Sequence, residues 1–231
     1  MPTKTAKRRP FFIASGQIFV RWFFRISFTL FYRIRVHGVK NYPPNDGFLL
    51  CANHQSFLDP LILGVVCPRP VNYLGRKTLF KFPPLAWFLK YNDTISIDRE
   101  GSGISGMKET LRRLKRGESV VMFPEGTRTD DGEFKSLMLG FCALARRSKA
   151  PLMPVGFDGA YQAYPRHRAY PLPGRIHAVM GKPIYFEEYE SLSDQQMADL
   201  LEERIRDCFE RAHKKWEQGA LFSCPQSEFE A

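Results

Sequence analysis

The sequence lacks any C-x-x-C pair, and its five cysteines (Cys51, Cys67, Cys142, Cys208 and Cys224) are scattered and odd in number. That pattern excludes a disulfide scaffold and a zinc ribbon and fits a reducing, cytosolic setting. Internal repeats, low-complexity linkers and a second domain boundary are missing too. At 231 residues, 44% hydrophobic and 25% charged, the chain can build a real core and is not a disordered polymer.

Acid is missing from the first forty positions. They hold nine Lys and Arg and no Asp or Glu, whereas the rest of the chain sets 25 basic residues against 24 acidic ones. The net charge of +10 therefore belongs to an N-terminal segment. Its partner is anionic, a membrane or a nucleic acid. Nucleic-acid binding needs an extended basic face with stacking aromatics. The charge beyond residue 40 nearly cancels and the N-terminal aromatics follow an apolar helical face, so no nucleic-acid partner is expected.

An unbroken apolar run is also missing. Residues 11–32 are long enough to span a bilayer, but Arg21 and Arg25 sit in the middle. Each central Arg costs about 2.5–3.5 kcal/mol on the insertion scale. The twelve Phe, Ile, Leu and Val residues return about 4–7 kcal/mol at most, and four polar residues tip the balance against spanning. Gln17, Arg21, Arg25, Thr29 and Arg33 recur every four residues, a polar stripe on an otherwise apolar helix. Such a helix lies in the membrane interface, with Arg21, Trp22 and Arg25 as contact residues. The alternative is a core-packing helix with a solvated basic edge. The Arg pair and the lack of a small-residue cleavage site argue against a signal peptide. Deleting residues 1–34 is expected to release the protein from anionic vesicles.

Beyond Arg35, short apolar runs predict strands at Phe48–Ala52, Val71–Leu74, Thr94–Ile97, Ser119–Phe123, Leu152–Phe157 and Ile176–Met180. Helices are predicted at Pro60–Val66, Pro84–Tyr91, Gly106–Arg116, Ser136–Ser148 and Asp194–Glu217, the last opened by a Ser193/Gln196 capping box. The alternation implies an α/β domain with a central, largely parallel mixed sheet flanked by helices. The expected layout is an amphipathic membrane-associating segment at 1–34, the α/β domain at 35–219 and a tail at 220–231. Pro-rich Tyr164–Pro173 reads as an ordered surface loop.

Three blocks follow predicted strands, at the sheet edge where ligands bind in open α/β folds. Asn53-His54-Gln55-Ser56-Phe57-Leu58-Asp59-Pro60 can turn His54 and Asp59 together, so that a carboxylate on one imidazole nitrogen leaves the other to accept a proton. Asp59 before Pro60 also reads as an N-cap, and a His with an Asp five places on arises by chance. Ser56 lacks a G-x-S-x-G elbow and reads as a turn residue. Phe123-Pro124-Glu125-Gly126-Thr127-Arg128 makes a sharp turn carrying an acceptor, a hydroxyl and a bidentate cation suited to phosphate. Its bland reading is a turn with a surface ion pair. Ile95–Arg99 ends in another cation, and Lys77 follows the Val71–Leu74 strand. His54 as a base beside the cations Lys77, Arg99 and Arg128 suits an anionic substrate with a hydroxyl to deprotonate. Gly101, Gly103 and Gly106 spell G-x-G-x-x-G, but Asp98-Arg99-Glu100 intervenes where the tight turn must start, and a loop with a helix start fits better.

Taken together, these blocks resemble the glycerolipid acyltransferase family, of the lysophosphatidate acyltransferase type. The resemblance runs from about Phe48 to Pro183. Asn53-His54-x4-Asp59 looks like its catalytic block, Ile95–Arg99 its second, Phe123–Arg128 its third, and Pro151-Leu152-Met153-Pro154-Val155 its fourth. The resemblance implies acyl transfer from a thioester, acyl-CoA or acyl carrier protein, to a lysophosphatidate hydroxyl in phospholipid biosynthesis. It implies His54 as general base, Asp59 as its orienting partner, Arg99, Arg128 and Lys77 as phosphate ligands, and Glu125, Gly126 and Thr127 as the acceptor site. No covalent intermediate, cofactor or metal is implied. Partners would be membrane lipids and the lysophospholipid, and the location the cytoplasmic face of a membrane. Glycerol 3-phosphate or another lysolipid remains an alternative acceptor, and a non-enzymatic basic lipid- or nucleic-acid-binding module a weaker alternative.

Overall fold

The computed structural model describes residues 11–43, 47–91, 94–97 and 104–221. Among the described residues, seven strands occur in chain order: β1 (Arg35–His37), β2 (Leu49–Ala52), β3 (Val71–Arg76), β4 (Ile95–Ile97), β5 (Ser119–Met122), β6 (Leu152–Asp158) and β7 (His177–Met180). They form one sheet in the order β1-β7-β6-β2-β5-β3-β4. The pairings among β2, β3, β4, β5 and β6 are all parallel, so the C-terminal ends of these five strands share one edge. β7 joins β6 antiparallel and β1 runs parallel to β7, which makes the sheet mixed. β1 was not anticipated. It is three residues long, too short for an alternation pattern, and pairs only along β7.

The α-helices among the described residues are α1 (Phe11–Tyr32), α2 (Asp59–Val66), α3 (Pro83–Tyr91), α4 (Ile104–Leu114), α5 (Gly140–Ser148), α6 (Ala160–Ala163), α7 (Phe186–Tyr189) and α8 (Asp194–Leu221). The central strands are apolar on both faces, as strands sandwiched between helices must be. Leu50, Ala52, Met153, Val155 and Phe157 pack on one face with Ile62, Leu63, Val65 and Val66 of α2. Leu49, Cys51, Val120 and Leu152 pack on the other with Phe141 and Leu144 of α5 and Met197, Leu201 and Ile205 of α8. α8 lies so close to β6 that a Cβ on Gly156 would stand 2.1 Å from the Phe209 nitrogen. Its capping box is formed as read: the Gln196 side chain accepts from Ser193 N–H at 2.9 Å, and Ser193 Oγ accepts from Gln196 N–H at 3.2 Å. α5 starts four residues later than expected, because residues 133–138 run as an irregular loop under the site.

Among its described side chains, from Trp22 on, α1 buries a narrow stripe. Phe28 and Tyr32 enter the core against α2, with Phe24 partly covered, while Trp22, Phe23, Ile26, Leu30 and Phe31 are exposed beside Arg25, Thr29 and Arg33. The Arg25 guanidinium sits 5.8 Å from the Trp22 ring centroid. Of the anticipated polar stripe, the side chains of Gln17 and Arg21 lie outside the described set. Among the described residues, no helix is long and apolar enough to cross a membrane. Cutting at residue 34 would also strip Phe28 and Tyr32 from the core.

Candidate active site

The site is built where β2 and β5 end. Asn53, the first residue past β2, spans to β6: its Nδ2 donates to the Phe157 carbonyl and its Oδ1 accepts from Phe157 N–H, both at 2.9 Å. This double bond to a neighbouring strand fixes the direction in which His54 leaves the sheet. The loop then curls around one carboxylate oxygen. Asp59 Oδ2 lies 2.6 Å from His54 Nδ1 and accepts the backbone N–H groups of Gln55 and Ser56, each at 2.7 Å.

Asp59 does not cap α2 as expected. Leu58 occupies the N-cap position without a side-chain cap, and Asp59 is the first helical residue. Its carboxylate turns back because the loop offers three donors to one oxygen. The Asp59 side chain is fully buried, and Oδ1 has no hydrogen-bond partner among the described residues. Burial raises Asp59 above the usual carboxylate range, against the opposing pull of His54 and the two N–H groups. An ionised Asp59 can only accept, so Nδ1 carries the hydrogen and Nε2 is left as the basic nitrogen. Ser56 is a turn residue: its buried hydroxyl donates to the Tyr164 carbonyl and accepts from Leu58 N–H.

The turn after β5 holds the same histidine from the other side. The Phe123 ring stacks on His54 with centroids 4.1 Å apart and planes 15° from parallel. Glu125 Oε1 accepts His54 N–H at 2.7 Å, and Thr129 N–H donates to the His54 carbonyl at 2.8 Å. Glu125 Oε2 accepts Lys135 N–H. Burial pushes the Glu125 carboxyl up to about 7, the Asp59 charge adding to the effect. Gly126 N–H donates to Phe123 O at 3.0 Å and Gly126 has φ +74°, which explains glycine at the apex of the turn. Thr127 beyond it is exposed.

Arg128 lies flat over Phe57, its Cζ 3.4 Å from the ring centroid. Its Nη1 is buried with no hydrogen-bond partner among the described residues, a donor waiting for an acceptor. Desolvation and the charges of Arg166 and Arg76 lower its pKa, while Asp59 opposes them. Two further guanidinium groups therefore act on Arg128, a field that favours an anion, while Arg166 also pairs with Asp130 at 3.4 Å.

An acyltransferase domain model, described simply as Acyltransferase, matches residues 33–158, more than half of the chain. The chain belongs to this acyltransferase family. The 1-acyl-sn-glycerol-3-phosphate acyltransferase of Bacillus subtilis is 31% identical over 179 residues, covering 75% of this chain and 87% of that protein. The chloroplast 1-acyl-sn-glycerol-3-phosphate acyltransferase LPAT1 of Arabidopsis thaliana is 27% identical over 181 residues, 77% of this chain but only 51% of the plant protein. The crystal structure of the 1-acyl-sn-glycerophosphate acyltransferase from Thermotoga maritima shares the fold, with a TM-score of 0.76 over 95% of this chain and 83% of that one at 22% identity.

Of the cations that this acyltransferase's sequence pointed to, Arg128 lies beside the His54 loop. Arg99 lies outside the described residues. Lys77 opens a 3-10 helix (Lys77–Lys81) beyond β3 and is exposed. β3 runs two residues further than read, so Arg76 ends it, and Arg76 acts on Arg128. Arg166 arrives from the Pro-rich loop, and Phe57, between His54 and Asp59, supplies the platform for Arg128. Nothing in sequence spacing ties Arg166 to this site. Arg76 was legible as the neighbour of Lys77 once the strand length was known. Cys51, Cys67, Cys142 and Cys208 are buried, and Cys224 lies outside the described residues. Among the described residues, no group of three or more His, Cys, Asp or Glu is placed to hold a metal ion.

Proposed function

We propose that this acyltransferase moves a fatty acyl group from a thioester donor to the free hydroxyl of lysophosphatidate, giving phosphatidate. The observation that carries the reading is the 2.6 Å contact between His54 Nδ1 and the buried Asp59 carboxylate, beside Arg128 with its unpartnered Nη1. His54 Nε2 takes the acceptor's hydroxyl proton as its oxygen attacks the thioester carbonyl. Asp59 stabilises the imidazolium that forms. The tetrahedral adduct collapses, the C–S bond breaks, and His54 returns the proton to the leaving thiolate. The attack is direct, with no acyl-enzyme intermediate and no cofactor beyond the thioester, acyl-CoA or acyl carrier protein.

Arg128 binds the acceptor phosphate through its free Nη1. Arg99 and Lys77 add charge to the same headgroup, and Thr127 and Gly126 line the acceptor side. Glu125 shapes that side and also fixes the His54 backbone. The chain works at the cytoplasmic face of a membrane as a peripheral protein. Residues 1–34 anchor it through Arg21, Trp22 and Arg25, residues 35–219 carry the chemistry, and residues 220–231 form a tail. The exposed apolar residues of α1 support this, because water-facing Trp22, Phe23, Ile26, Leu30 and Phe31 form a patch that calls for an apolar neighbour.

Competition among lysophosphatidate, lysophosphatidylcholine and glycerol 3-phosphate for one acyl-CoA pool tests the acceptor. Phosphatidate is the expected major product by mass. Predominance of either other product would transfer the reading to that acceptor.

A further inference from the structure

A second stretch of the chain is free of acid. Residues 60–92 contain no Asp or Glu but hold Arg69, Arg76, Lys77, Lys81 and Lys90. The structure places part of this stretch at the catalytic edge. β3 ends at Arg76, within electrostatic range of Arg128, and the 3-10 helix and α3 follow at once. This short pair of helices turns large apolar groups outward. Leu79 is 40% exposed, Phe82 63% and Trp87 67%, while Ala86 faces inward and is buried. Lys77, Lys81 and Lys90 are exposed on the same two elements. Nothing in the fold requires three exposed bulky side chains between three lysines. A globular surface in water gains nothing from them.

We propose that the segment from Lys77 to Tyr91 is a second lipid-contact element, separate from α1, that rests on an anionic bilayer beside the active site. Phe82, Trp87 and Leu79 enter the boundary between headgroups and acyl chains, where aromatic side chains partition well. Lys81 and Lys90 lie at the level of the lipid phosphates, with Lys77 toward the acceptor headgroup, and neither element carries an acidic residue to oppose them. Charge selects this occupant, because the charged residues of these two elements are all lysines, and lysines around an apolar centre complement an anionic membrane and would repel a second copy of the same segment. The element holds the Arg76 end of β3 against the surface from which the acceptor comes, so a lysolipid reaches Arg128 without leaving the bilayer. The proposal rests on the reading that the acceptor is a membrane lipid.

The chain has three tryptophans, so a Trp22→Phe, Trp216→Phe protein reports on Trp87 alone. Anionic vesicles should shift its emission to the blue, and lipids brominated near the headgroup end of their chains should quench it, more weakly in zwitterionic vesicles. In a separate protein, Phe82→Ala with Trp87→Ala should lower partition into anionic vesicles about tenfold or more, given the apolar area withdrawn from lipid. The rate on vesicle-borne lysophosphatidate should fall with it, while the rate on monomeric short-chain lysophosphatidate stays unchanged. Unshifted Trp87 emission from protein that still sediments with vesicles would overturn the proposal, since the segment would then remain in water. So would a blue shift that grows with protein concentration without lipid, which would mark a contact between copies. Loss of the short-chain rate in the double variant would also overturn it, because α3 would then serve the site directly. A Trp87 shift in the single-tryptophan protein, with wild-type enzyme making no product even from short-chain acceptor, would sink the acyl-transfer reading and leave the lipid contact supported.

Discussion

Replacing Asp59 by Asn separates chemistry from scaffolding at one position. Asp59 Oδ2 gathers His54 Nδ1 and two backbone N–H groups within 2.7 Å. An Asn carbonyl oxygen can keep those contacts, so the loop stays folded, but the charge that supports the imidazolium is gone. At an effective dielectric constant of about 20, unit charges ~4 Å apart attract by about 4 kcal/mol. Loss of that term from the transition state corresponds to roughly a thousandfold in rate. The carboxylate is fully buried, one oxygen lacks a partner and burial raises its pKa, so the neutral amide costs little stability. The expected pattern is kcat down about a thousandfold, acceptor KM changed by less than about threefold, and a melting temperature equal to or above wild type. Steady-state kinetics with varied lysophosphatidate, together with calorimetry, reads all three. A melting temperature well below wild type with kcat within tenfold would refute the reasoning, because Asp59 would then be a loop clasp and not the partner of a working base.

Arg128→Ala should raise the acceptor KM by roughly 10–100-fold, the value of one or more charge-assisted hydrogen bonds, and leave the thioester KM nearly unchanged. Equal effects on both substrates would remove Arg128 from the phosphate. Glu125 titrates near 7 in the folded protein against an ordinary 4.5, so its fold favours the protonated form; stability falls as pH rises from about 4.5 to about 7, by about 3 kcal/mol in all. Urea unfolding of Glu125→Gln across that window should show the slope flattened, and an unchanged slope would contradict the burial argument. Asn53→Ala leaves the Phe157 N–H and C=O without their side-chain partners and should cost about 2–4 kcal/mol of unfolding free energy by denaturant titration.

Much of the site was legible because its chemistry is packed into contiguous blocks at strand ends. His54 and Asp59 are five residues apart, and a strand followed by a helix start leaves few ways to keep them separate. The grip on His54 was not legible. Glu125 is 71 residues from His54 and reaches its backbone N–H, and Phe123 reaches its ring, only because β5 pairs beside β2. Asn53 and Phe157, 104 residues apart, meet for the same reason through β6. The reversal of β7 was hidden too, since an apolar run records that a strand is buried and not which way it runs. The misreading of Asp59 as a cap has a local cause. Capping rules consider the helix that follows, and here the preceding loop had more donors to offer.

The central claim is that His54 deprotonates a lysophosphatidate hydroxyl for attack on a thioester. Purified protein with acyl-CoA and lysophosphatidate, followed for phosphatidate by mass beside a folded His54→Ala variant, tests it most directly. The account predicts phosphatidate from the wild type and a loss of at least a thousandfold in the variant, the scale of removing a catalytic base. Phosphatidate formed at a comparable rate by His54→Ala, or thiol released by the wild type with no acylated lipid, would contradict it.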